Sequence, residues 1–91
     1  MEKYTFIFEY KRGTYINQVE SEDIIDAVKK WFSNIDNLKI PNFGIIEKNK
    51  LHAEIGKEHN HPIPIKDNQN VWCMFLTIKR ASCLINIVMT K

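Results

Sequence analysis

From Val71 to Lys91 the chain reads V-W-C-M-F-L-T-I-K, then R-A, then S-C-L-I-N-I-V-M-T-K. Two apolar runs around a short polar break are the sequence form of a β-hairpin. With Arg80 and Ala81 as a two-residue loop, the expected partners are Trp72 with Met89, Met74 with Ile87, Leu76 with Ile85 and Ile78 with Cys83. Side chains alternate across a strand, so these residues share one face. The opposite face carries Val71, Cys73, Phe75, Leu84 and Val88 among polar residues. Such a hairpin anchors a core with one face and leaves the other to be covered.

Upstream, Tyr4, Phe6, Phe8 and Tyr10 alternate with Thr5, Ile7 and Glu9 in a first strand, and Thr14 to Glu20 forms its return. A two-residue loop pairs Phe8 with Asn17 and Phe6 with Val19. A three-residue loop, Lys11-Arg12-Gly13, pairs Phe8 with Ile16 and is preferred, because it places glycine where positive φ is expected. Ser21 offers a helix cap, and Glu22 and Asp23 suit the positive end of a helix dipole. Ile24, Val28, Trp31 and Ile35 then recur at 4-3-4 spacing, predicting an amphipathic helix to about Asn34. Pro41 disfavours helix at Ile40. A second, weaker helix is expected from Gly44 to Ile55, with Gly56 just past its end. The polar stretch from Gly56 to Asn70, carrying Pro62 and Pro64, is expected to be an extended surface loop. The order is β-β-α-α-β-β in a single α+β domain over residues 1–91. The expected architecture is a four-stranded antiparallel sheet of two hairpins against one long amphipathic helix plus a shorter one.

At 44% hydrophobic and 26% charged residues, the composition is that of an ordinary folded domain. Thirteen Lys and Arg against eleven Asp and Glu give a net charge of only +2, far from the basic balance of a typical nucleic-acid-binding domain. No apolar stretch approaches the roughly 20 residues that span a bilayer. The first residues run directly into a strand pattern rather than a charged-then-apolar leader, so a cytoplasmic location with no membrane contact is expected. Cys73 and Cys83 fall on opposite sheet faces, which disfavours a disulfide between them.

Few residues point to chemistry. His59-Asn60-His61, with Glu58 and His52 nearby, is the cluster richest in metal-ligand types, but it sits in a polar loop ahead of two prolines, and solvated histidines are the preferred reading. Cys73 near this loop lacks spacing that would orient a base, and Glu22, Asp23 and Asp26 are explained by a helix start. Gly13, Gly44 and Gly56 are isolated, so no phosphate cradle exists. The expectation is a protein that is not an enzyme and takes no cofactor or metal. The aromatic face of Tyr4, Phe6, Phe8 and Tyr10 could act as a stacking platform, but the helix needs an apolar partner surface, and core is preferred.

Function is then expected to reside in protein association, either with a second copy or with another protein. If the aromatic face meets the helices, Ile7, Val19, Val71, Cys73, Phe75, Leu84 and Val88 approach the back of the sheet, unless the second helix crosses over to cover them. Val71, Phe75, Leu84 and Val88 are the expected contact residues. The alternative is single-stranded nucleic-acid binding through Lys11, Arg12, Lys79 and Arg80 at the two hairpin tips. A hairpin followed by an acid-capped amphipathic helix, over residues 3–35, also resembles the start of small antitoxins of the HicB type. That family carries a further strand before the helix, which this chain lacks, so no residue role is transferred. The resemblance implies only a small partner-binding protein.

Overall fold

The computed structural model describes residues 1–57 and 60–90. In chain order they form β1 (Glu2–Tyr10), β2 (Gly13–Ser21), α1 (Ile24–Ser33), a 3-10 turn (Ile35–Leu38), α2 (Ile45–Ile55), β3 (Ile63–Pro64), β4 (Val71–Ile78) and β5 (Ala81–Thr90). The strands make one antiparallel sheet in the order β2-β1-β5-β4-β3, so the two hairpins are joined along β1 and β5. The class is α+β, with five strands rather than the expected four. The added strand is Ile63–Pro64, which pairs with Trp72 and Cys73. Proline cannot donate to a ladder and is tolerated in a sheet only at an edge, which is where Pro64 lies.

Both hairpins turn on two residues. Lys11 and Arg12 have φ of 45° and 69°, and Lys79 and Arg80 have φ of 48° and 69°. Positive φ at both turn positions gives the primed turn, whose twist matches that of the flanking strands. In the second hairpin this moves the loop from Arg80-Ala81 to Lys79-Arg80, so Trp72 faces Ile87, Met74 faces Ile85, Leu76 faces Cys83 and Ile78 faces Ala81. The shift of the pairing is by two residues, and every side chain keeps its face. In the first hairpin neither expected register forms. Phe8 faces Tyr15, Phe6 faces Asn17 and Tyr4 faces Val19. Relative to the three-residue loop the parity of β2 is reversed, which turns Val19 into the core at 8% exposure and Ile16 out to 61%. Gly13 does not take positive φ; instead the Tyr15 ring lies over it, and a Cβ there would come within 2.7 Å of Tyr15 Cζ.

The core lies between one face of the sheet and the two helices. Tyr4, Phe6, Phe8 and Tyr10 of β1, Met74, Leu76 and Ile78 of β4, and Cys83, Ile85 and Ile87 of β5 are all buried there. The first strand's aromatics are therefore core. Trp31 of α1 sits among them, stacked on Phe6 with centroids 5.3 Å apart and edge-on to Phe8 at the same distance. A fully buried ring removes about 150–250 Å² from water, so each contributes several kcal/mol of gross hydrophobic stabilisation at roughly 25 cal/mol per Å².

Helix α1 is capped by Asp23 rather than Ser21: the Asp23 carboxylate accepts the Asp26 N–H at 2.8 Å. Ser21 is fully buried and its hydroxyl donates to the Asp26 carboxylate at 2.6 Å. Helix α2 packs on the same side of the sheet. Its Leu51 is buried in the same cluster as Trp31 and Met74, and its His52 ring stacks on Phe32 of α1 at 4.9 Å. The second helix therefore does not cross over to the back of the sheet.

Candidate association surface

With both helices on one side, the register assigns the other face. Three rows of side chains run across it: Gln18, Thr5, Val88 and Val71; then Ile16, Ile7, Asn86, Cys73 and Ile63; then Thr14, Glu9, Leu84 and Phe75. Of the expected contact residues, Val71, Leu84 and Val88 are half-buried, and Phe75 is 63% exposed. Ile16 and Ile63, at 61% and 60%, were not among them. Ile16 was hidden by the register of the first hairpin, and Ile63 by the two prolines flanking it. The half-burial of Val71, Leu84 and Val88 comes from neighbours within the sheet, because among the described residues no element lies over this face.

Charge is sparse there. Lys3 and Glu20 stand opposite each other at one end of the face, and Glu9 stands near the other. The apolar residues between them are joined by Thr5, Gln18, Cys73 and Asn86. Of the three charges only Glu9 lies within the rows described, where it pairs with Leu84.

Each sheet edge carries a feature that hinders strand addition over part of its length. At the β3 edge the strand is only two residues long and ends in proline. At the β2 edge, the Lys30 ammonium donates to the Glu20 carbonyl at 2.9 Å. Short strands, proline and lysine are the usual means of blunting an edge.

The four cations expected at the hairpin tips do lie at one end of the sheet. Tyr10, which precedes the first turn, pairs with Cys83, which follows the second. They are not equivalent. The Lys79 ammonium meets the Glu47 carboxylate at 2.9 Å, and the same carboxylate accepts the Gly44 N–H at 2.9 Å at the start of α2. The Lys79 contact, with these backbone hydrogen bonds, holds the Glu47 pKa down to about 2 and raises that of Lys79. Lys11 lies 5.5 Å from the centroid of the Tyr10 ring. Arg12 and Arg80 are exposed, with no ion pair among the described residues.

On the helix side a cavity of about 400 Å³ opens between α1 and α2, lined by Ile25, Phe32, His52, Ile55, His61 and Met74 among others. Among the described residues no group of three or more His, Cys, Asp or Glu is arranged to hold a metal ion. His59 and Glu58 of the histidine cluster lie outside the described residues. Cys83 is buried and its thiol pKa is pushed up to about 11 by desolvation, so it is held protonated, whereas free Cys73 is half-buried on the open face. No described helix is long and apolar enough to cross a membrane. No protein-family model, no curated protein and no solved structure matches this chain.

Proposed function

We propose that this protein works by association through the open face of its sheet rather than by catalysis. The observation that carries the proposal is the face itself, over which no described element lies, with Phe75, Ile16 and Ile63 exposed beside Ile7, Val71, Leu84 and Val88 and Glu9 the one charge among them.

Phe75→Lys and Val88→Lys test this separately, since each puts a cation among the apolar residues of the face. Both side chains point away from the core, so far-UV circular dichroism stays native while the assembly formed by the wild type dissociates. Loss of an aromatic hot spot weakens binding by about 2–4 kcal/mol. An assembly that survives both substitutions unchanged assigns association to another surface.

A second reading has an observation of its own. The same Lys-Arg dipeptide occupies both hairpin tips, in each case with both residues at positive φ where Asn-Gly is the favoured pair. The two tips share one end of the sheet, which favours single-stranded nucleic acid as a ligand of that end. With Lys79 engaged by Glu47, Lys11, Arg12 and Arg80 are left to meet phosphates. Three contacts at roughly −0.7 each give a salt slope of about −2 in log K against log salt. Fluorescence anisotropy with a labelled oligonucleotide checks it, and no binding at low salt removes this reading.

A further inference from the structure

We infer that the occupant of the open face is a second copy of this chain, related by a two-fold axis that passes beside Asn86. The inference rests on the association proposed above and names its partner and geometry. Asn86 marks the centre of the face. It lies on β5, the middle strand of five, in the middle row, with Ile7 and Cys73 beside it and Leu84 and Val88 two residues away on either side. In a two-fold contact the same patch serves both partners, and full overlap sets its centre against itself.

The area is sufficient for such a pair. Four full strands at about 4.8 Å spacing and some eight residues at about 3.3 Å each give a face of about 500 Å² in projection. Two such faces reach about 1,000 Å², the threshold for a specific interface and in the range of weak, reversible pairs, before side-chain relief is added. The molecule's principal extents of 33 × 25 × 23 Å accommodate a face of this size along one side.

Asn86 supplies the selectivity. Its carboxamide makes no hydrogen bond to any described residue, although it is half-buried amid apolar neighbours. Covering it with an apolar partner would strand a donor and an acceptor, weakening binding roughly ten- to a hundred-fold. A carboxamide carries both groups, so across a two-fold axis one Asn86 donates to the other and accepts in return. The distance fits: packed sheets lie about 10 Å apart, and two asparagine side chains joined by one hydrogen bond of about 2.9 Å span a gap of that size. A lone buried asparagine fixes register between identical helices in coiled coils by the same pairing.

A charge swap tests the axis directly. N86D alone sets two carboxylates against each other, and N86K alone sets two ammonium groups, so each variant is expected to run at 10.8 kDa by light scattering where the wild type runs at twice that mass. Mixed in equal amounts, they are expected to restore the doubled mass, because only residue 86 facing residue 86 pairs the opposite charges. Circular dichroism on each variant alone confirms that the fold is kept. Doubled mass in either variant alone, or no recovery on mixing, overturns the axis at Asn86 while leaving the open face as an association surface. A wild-type mass of 10.8 kDa at every concentration overturns the second copy as occupant. Loss of association on Phe75→Lys with none on the Asn86 variants separates the two failures.

Discussion

Ser21 and Glu47 show how single side chains tie elements together in this protein. Ser21 ends β2 fully buried; its hydroxyl donates to the Asp26 carboxylate at 2.6 Å and accepts the Asp23 N–H at 3.4 Å, joining the strand to the start of α1. That hydrogen bond is the main reason the Asp26 pKa lies below the ordinary carboxylate value. Ser21→Ala is therefore expected to cost about 1–2 kcal/mol by chemical denaturation, and to move the Asp26 titration upward when followed by NMR. Glu47 acts at two points, holding Lys79 of the second hairpin and capping α2. Its carboxyl pKa is depressed from 4.5 to about 2, so its contribution to stability is complete above about pH 4.5 and is lost as pH falls toward 2. Glu47→Gln removes that dependence, so thermal melts of the variant and the wild type converge at the acid end and separate above it. Superimposable melting profiles through that window would show that the ion pair adds nothing to stability.

Among the elements, the hairpins show what the sequence made legible and what it did not. Face assignment in the second hairpin survived a loop displaced by one residue, because that displacement moves the pairing by two and preserves parity. In the first hairpin the same kind of turn changed the faces of β2, since three-residue and two-residue loops differ by one in the pairing. Ile16 and Val19 exchanged places as a result. The difference has a physical origin: glycine is the residue expected at positive φ, yet Lys11 and Arg12 take that conformation and Gly13 does not. A left-handed conformation costs a non-glycine residue about 1 kcal/mol. Replacing Lys11-Arg12 or Lys79-Arg80 by Asn-Gly is accordingly expected to stabilise by about 0.5–1 kcal/mol per hairpin. Denaturant midpoints check this, and for the second pair the gain is measured net of the lost Lys79–Glu47 contact. The helices were legible because α1 has a clear apolar stripe and α2 is bounded by Gly44 and Gly56. β3 was not, since two residues paired at an edge leave no periodicity, and their prolines read as loop.

For the whole molecule, the sequence showed two apolar sides to the sheet but not which elements cover them. That choice depends on the path from α1 to α2, and it places both helices over the aromatic face of β1. Among the described residues no element covers the back face, which carries Val71, Phe75, Leu84 and Val88 as expected, with Val19 removed and Ile16 and Ile63 added. The sparse charge of this face and its central asparagine are the grounds for the face-to-face pair proposed above. Static light scattering over a wide range of protein concentration tests this most directly, run in parallel on the wild type and on Phe75→Lys. The wild type should rise from 10.8 kDa toward twice that mass with increasing concentration, while Phe75→Lys stays at 10.8 kDa. A wild type that holds at 10.8 kDa throughout, or a variant that pairs as well as the wild type, would contradict pairing through the open face.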